Sequence, residues 1–442
     1  MLTIFPDYQR QNSDFTPRSP LPLVGEGAPK GRERVRKKWA TGLTALVLVV
    51  GMGLQGCGSP ENELKTSESA AEEPDAQESK IKDFVPIGLN GKWGYINTKG
   101  KMIIPPRFEE SRYFFSNGLA VVKENGKYGY INTKGEIVIP PKYEFAWDFS
   151  VNGLAPFSEN RKIGYINAKG EIVIPPRFEE VEDFATNGLA LIQENGKWGY
   201  INAKVEIVIL PKFEYALGFA ANGLALIQEN GKWGYINDKG KMVISPRFES
   251  AKWFSANGLA AVETNGKWGY INDKGKMVIE PKFEDAGNFA TNDLAAVEKN
   301  GESGYINAKG EIVIPPRFEE ANEFSANGLA LIHENAKWGC INAKGEIVIS
   351  PRFEEVFIFS DNGLARVKEN GKYGYINEQG EMVILPRFDN AWHFDNNGLV
   401  EVEENGKKGY INAQGQTIVT IEKVNGREVL KNTRGEIVWP KK

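Results

Sequence analysis

One feature limits the fold of this chain more than any other: it repeats itself without a gap. The Gly that follows Trp in KWGYIN recurs at Gly94, Gly129, Gly164, Gly199, Gly234, Gly269, Gly304, Gly339, Gly374 and Gly409, a step of 35 residues each time. Ile and Asn follow two and three residues later in every unit, from Ile96 and Asn97 to Ile411 and Asn412. A period of this length is the mark of an array whose units bury their faces against one another. It overrides the two or three domains that 442 residues would ordinarily suggest.

Each unit reads as a three-stranded antiparallel meander. In Leu189 to Pro211, Asn195-Gly196 lies between two β-rich runs. Asn-Gly favours the positive φ angles of a tight hairpin whose twist matches its strands. The second connection, of the form NxKG, supplies Gly at a left-handed position. Pro105-Pro106 and their equivalents are expected to end the third strand, because Pro donates no ladder hydrogen bond. The return stretch, RFEEVEDFATNG in one unit, is too short for more than a helical turn.

The strands are apolar on both faces, so each sheet is expected to be covered on both sides by its neighbours. The Gly beside Trp would let another backbone or ring approach closely. Phe178, Phe184 and Leu189 are expected to fill the remaining gaps. The end of the chain, Asn425 to Pro440, aligns with a unit whose 15-residue return segment has been deleted. There Glu428 stands for Trp, Val429 for Gly and Lys431 for Ile, which suits an exposed terminal cap. Because a closed ring needs no cap, the expected architecture is all-β, an open solenoid or superhelix. A β-propeller is the alternative.

The N-terminal residues are of another kind. Arg32, Arg34, Arg36, Lys37 and Lys38 precede an apolar run that ends Leu54-Gln55-Gly56-Cys57, the order of a secretory signal. Leu54, Gly56 and Cys57 resemble the bacterial lipoprotein cleavage motif; Gln55 is less usual there. That resemblance implies lipid attachment at Cys57, with acyl chains holding the protein at about 0.8 kcal/mol per buried CH₂. The competing reading is an uncleaved membrane helix over Trp39–Gly56, short for a bilayer. Gly58 is not the Asp of an inner-membrane retention signal. Residues 1–34 read as a non-native or disordered extension, 35–57 as the signal and 58–83 as a flexible acidic tether with too little apolar surface to fold. The array then spans 84–424 and the truncated cap 425–442.

The KWGYIN core, the NxKG turn, the IPP stretch and the FSxNGLA return resemble the bacterial WG-repeat (KWG) family over about 80% of the chain. The resemblance implies a β-rich array, often attached to envelope modules, with no established enzymatic activity. Departures are local: Val205 and Asp293 for turn Gly, Arg161 and Ala336 at the hairpins, Glu302-Ser303 for Lys-Trp, and Cys340 for Tyr.

No residue cluster asks for catalysis. The carboxylate pairs Glu179-Glu180, Glu319-Glu320 and Glu354-Glu355 recur beside Arg177, Arg317 and Arg352, and repetition on this scale is architecture. His333 and His393, the two His of the chain, have no Ser or Cys partner at nucleophile spacing. No metal-ligand spacing appears, no cofactor is implied, and Cys340 reads as a buried thiol. A net charge of −4 implies no nucleic-acid partner. The aromatic series Trp93, Tyr128, Trp198, Trp233, Trp268, Trp338 and Tyr373 has two readings. Buried, it is core; exposed, it is a ladder for stacking on sugars or peptides. The expectation is therefore a non-catalytic, lipid-anchored, extracytoplasmic scaffold of the cell envelope that binds other envelope proteins. A receptor for glycans or peptidoglycan is the alternative.

Overall fold

The computed structural model describes residues 81–440 other than 186, 205 and 396. The predicted extension, signal, Cys57 and most of the tether lie outside these. Among the described residues no helix is long and apolar enough to cross a membrane.

The hairpin forms as its turn chemistry requires. Leu189–Glu194 pairs with Lys197–Asn202 in register, Ala190 opposite Ile201 and Glu194 opposite Lys197. Asn195 and Gly196 close it at φ of 53° and 69°, values that Asn and Gly adopt readily. The third strand, Ile207–Phe213, does not stop at its proline. Trp198 pairs with Phe213 and Tyr200 with Ile209, so a two-residue step on one strand faces four on the other. The strand takes up Pro211 in this bulge, where no ladder bond is asked of it. The bulge explains the Gly beside Trp. A Cβ on Gly199 would lie 2.5 Å from the Ile209 oxygen and 2.6 Å from the Pro211 nitrogen. The close approach expected at this Gly is therefore that of its own sheet's third strand.

The return stretch makes a short strand in place of a helical turn. Glu180–Val181 pairs with Gln193 and Ile192, so the usual sheet has four strands in sequence order. There are ten sheets: a three-stranded first, eight of four strands, and a six-stranded last that absorbs the truncated repeat. We number these blades 1 (from Val85) to 10 (ending at Trp439). One residue, Glu214, separates the last strand of blade 4 from the first of blade 5. The cores lie between blades. Leu191, Trp198, Tyr200, Ile209 and Phe213 of blade 4 pack on Ala216, Ala225, Ile227 and Ile236 of blade 5. Phe178, Phe184 and Leu189 are buried as expected.

The array is not open. In successive blades the turn Gly of one packs on an Ile of the blade before: Gly135 on Ile104, Gly275 on Ile244, Gly415 on Ile384. The same contact joins the two ends, Gly100 of blade 1 lying on Val419 of blade 10. Val85, Ile87, Leu89 and Ile96 share one core with Leu399, Tyr410, Val419 and Leu430. The fold is thus a closed, ten-bladed β-propeller, which corrects the solenoid inferred from the sequence. The truncated repeat is the reason that inference failed. Its polar residue Glu428 is not a solvated cap: it bonds the first hairpin at Asn90, while Val429 and Leu430 beside it are buried. The missing return segment has no later blade to serve, because the next blade is the first.

Candidate functional site

Against so constant a frame, the positions that vary are the informative ones. Two consecutive residues of the return segment differ in every blade that has one: Arg112-Tyr113, Trp147-Asp148, Glu182-Asp183, Leu217-Gly218, Lys252-Trp253, Gly287-Asn288, Asn322-Glu323, Phe357-Ile358 and Trp392-His393. The constant residues position them. The Tyr of KWGYIN is buried between blades and its hydroxyl donates to the carbonyl of the first variable residue, 17 positions on in the next blade. Tyr95 reaches Arg112 at 2.6 Å, Tyr130 reaches Trp147 at 2.7 Å, and Tyr235 reaches Lys252 at 2.8 Å. A buried carbonyl that takes a hydroxyl is fixed as firmly as one in a ladder. In blade 8 the Tyr is Cys340, and the Phe357 carbonyl has no such bond to it.

Successive return segments also touch, so the variable residues form one row around the ring. Arg112 lies 3.6 Å from Asp148, Lys252 lies 3.9 Å from Asp285, and the Asn288 amide donates to Glu323 at 2.8 Å. Tyr113 and Asp395 complete the row across the closure by a hydroxyl–carboxylate hydrogen bond. Its chemistry differs along its length. Loss of hydration pushes the Asp148 carboxyl up to about 6, against the pull of Arg112 and helped by Asp183. The same cause, reinforced by Asp183 and Glu180, pushes Glu182 up to about 7. Elsewhere the row exposes apolar rings and chains: Trp253, Ile358 and Trp392 are 45%, 53% and 38% exposed.

The aromatic series singled out in the sequence lies elsewhere. Tyr128, Trp198 and Trp268 are buried, and Trp93, Trp233, Trp338 and Tyr373 are half-buried. They pack edge to face with neighbours, as Trp198 does on Tyr215 at 5.9 Å and Tyr215 on Trp233 at 5.7 Å. The exposed Trp residues belong to the variable row instead. A column-by-column comparison of the repeats would have found that row. The residues that the units share give no sign of it.

The recurring carboxylates have a defined task. Glu179 accepts the Gly196 amide at 2.8 Å and Lys162 at 3.1 Å. These bonds, the amide first, hold its carboxyl below the usual range. Glu249 does the same for Gly266 at 3.0 Å. Their Arg neighbours serve the next blade, Arg247 donating to the Gly275 oxygen at 2.6 Å. His333 faces Glu319 at 2.9 Å. Burial pushes the Cys340 thiol up to about 12, far from a reactive thiolate. Among the described residues no group of His, Cys, Asp and Glu could hold a metal ion.

No curated protein matches the chain. Solved structures share its general form at low similarity. A eukaryotic initiation factor is 9% identical, with a TM-score of 0.48 over 70% of this chain and 97% of its own. The dihydro-heme d1 dehydrogenase NirN is 12% identical, with a TM-score of 0.33 over 71% and 74%. Porphyromonas gingivalis dipeptidyl peptidase 4 is 10% identical, with a TM-score of 0.38 over 66% and 58%. Scores this low carry nothing about function. The family described as WG containing repeat matches nine times in succession, from residues 93–128 to 373–407. The chain belongs to the WG-repeat family.

Proposed function

We propose that the ring is a non-catalytic scaffold that takes hold of protein partners through its variable row, and that lipid on Cys57 keeps it at the cell envelope. The observation that carries the first part is the division of labour within the repeat. Hairpin, bulge and inter-blade bonds are nearly invariant, whereas the paired return positions change from blade to blade and, except at Phe357-Ile358, are held in place by the recurring Tyr. Recognition of a particular partner needs such a surface, fixed in backbone and unlike in side chains. Exposed Trp253, Ile358 and Trp392 supply the apolar anchors that dominate protein interfaces. The aromatic ladder, being buried or half-buried, offers a glycan much less stacking surface.

A photo-crosslinking residue placed in turn at Trp253, Ile358 and Trp392 tests this reading. Partner adducts are expected there and not from the exposed, constant turn positions Lys134 and Lys309. Equal labelling from both sets would end it. The anchor is tested separately: globomycin and a Cys57→Ala variant should each prevent lipid modification, and an unmodified wild type would remove the envelope assignment.

A further inference from the structure

Asn-Gly is the dipeptide whose side-chain amide is lost most readily, and this chain uses it at most of its hairpin and return turns. The backbone nitrogen of Gly gives up its proton to hydroxide and attacks the Asn Cγ. A C–N bond forms, a cyclic imide closes, and the side-chain amide leaves as ammonia with a proton from water. Water then adds to one imide carbonyl and breaks a ring C–N bond, giving aspartate or isoaspartate. The reaction needs a Gly N–H that can ionise and an Asn side chain that can turn towards it.

The fold denies one or both at almost every site. In the hairpins the carboxylate before each short strand accepts the Gly amide: Glu109 on Gly126 at 2.9 Å, Glu214 on Gly231 at 2.9 Å, Glu284 on Gly301 at 2.8 Å. A negative charge at hydrogen-bond distance opposes ionisation of that nitrogen and fixes its direction. In blade 10 Asp389 accepts the Asn405 amide at 2.6 Å, and the Gly406 amide beside it also helps to hold that carboxyl below the usual range. In the return turns the Gly amide donates to a backbone carbonyl, as Gly118 does to Phe115 at 2.8 Å and Gly258 to Ser255 at 2.9 Å. There the Asn oxygen is held too, Asn117 accepting the Leu119 amide at 3.1 Å. In blade 1 the Asn90 side chain is pinned at both ends by Glu428, at 2.9 and 2.8 Å.

Asn425-Gly426 has none of these protections. It caps the hairpin of the truncated repeat, is exposed, and has the same left-handed geometry at φ of 51° and 79°. The repeat that would supply its carboxylate begins only as the closing hairpin, and among the described residues nothing binds the Gly426 amide or the Asn425 side chain. We infer that Asn425 is the site at which this protein is modified spontaneously by water, through loss of its side-chain amide. The product places a new carboxylate, and for isoaspartate an added methylene in the backbone, at the tip of the hairpin that closes the ring.

The test ages the purified full chain in mildly alkaline buffer and follows each Asn-Gly peptide by mass spectrometry, with an isoaspartate-specific methyltransferase as second readout. Asn425 is expected to convert about tenfold faster than Asn230 or Asn265, the factor that one hydrogen bond of ordinary strength is worth. Conversion of Asn425 no faster than theirs overturns the inference. A Glu214→Ala variant tests the cause: Asn230 should then approach the rate of Asn425, with Asn265 in the same chain as an unchanged reference. If Asn230 stays slow, protection by the carboxylate is wrong.

Discussion

The junction between blades 5 and 6 and the junction that closes the ring perform the same tasks with different residues. At the first, Tyr235 bonds the Lys252 carbonyl at 2.8 Å, Glu249 bonds the Gly266 amide at 3.0 Å, and Gly275 rests on Ile244. At the second, Tyr410 bonds the Pro86 carbonyl at 3.2 Å, Glu428 bonds the Asn90 amide at 2.6 Å, and Gly100 rests on Val419. The ordinary junction is also a continuous chain, Phe248-Glu249-Ser250 running straight from one blade to the next. The closing junction has no peptide across it. Two further bonds between the Asn90 side chain and the Glu428 backbone stand in its place. A junction without covalent continuity thus needs more specific bonding for the same geometry, because nothing else brings the partners together.

The largest break in this comparison is removal of residues 425–442. It strips the buried Val429 and Leu430 and three hydrogen bonds from the closing junction, and a loss of about 5 kcal/mol is expected. Thermal unfolding would measure the loss, and small-angle scattering should show an expanded particle. Next is Gly234→Ala, where the new Cβ would lie 2.5 Å from the Ile244 oxygen and 2.7 Å from the Pro246 nitrogen. It should cost about 3 kcal/mol. Gly409→Ala in blade 10 sharpens the contrast. That strand has Ile421 where others have the crowding Pro and pairs there without the bulge, Gly409 opposite Thr420, so that only the Val419 oxygen, at 2.7 Å, presses on the site. Denaturant titration should show a clearly smaller loss there.

The junction of blades 3 and 4 differs in charge. Glu182 is raised to about 7, above its unfolded value, so its protonated form favours the fold. That contribution is fully present below about pH 4 and is lost as pH rises through about 7. Glu182→Gln should therefore match wild type at pH 4 and exceed it by about 1–2 kcal/mol at pH 8, allowing for the water that still reaches the group. Equal stabilities at pH 8 would count against the loss of hydration, reinforced by Asp183 and Glu180, that raises this carboxyl. Tyr235→Phe and Tyr410→Phe should each cost about 1 kcal/mol if the two junctions are equivalent in this respect, the Tyr410 hydroxyl sharing its one proton between the Pro86 carbonyl and Glu401. The smallest effect is a gain. Ala336 holds φ of 58° at a hairpin position where Gly is usual, and Ala336→Gly should stabilise by up to about 1 kcal/mol in the same titration.

What could be read from the sequence was local. Asn195-Gly196 fixed the hairpin, strands apolar on both faces required blades covered on both sides, and the Gly beside Trp announced a close approach. Curvature was not legible, because a period gives the repeat but not the angle between repeats. Glu428 misled for the same reason: a polar residue at a chain end looks solvated until the other end is known to meet it. Pro211 misled because the rule against Pro in strands assumes an unbroken ladder, and the bulge breaks it. Of the candidate site, the place of Trp198 and Trp268 was left open between core and ladder, because a pleat tells which residues share a face and not what covers that face. The row from Arg112 to His393 did not, because it is defined by difference between units.

The contact of Gly100 with Val419 has a last consequence. A tandem gene of identical steps readily gains or loses a unit when its copies misalign, and each local junction here would survive that event unchanged. The closing contact would not. Eleven or nine blades would need a different angle at every junction before the two ends could meet, so the closing junction, of which this contact is one part, makes the whole ring answerable for its own number of copies.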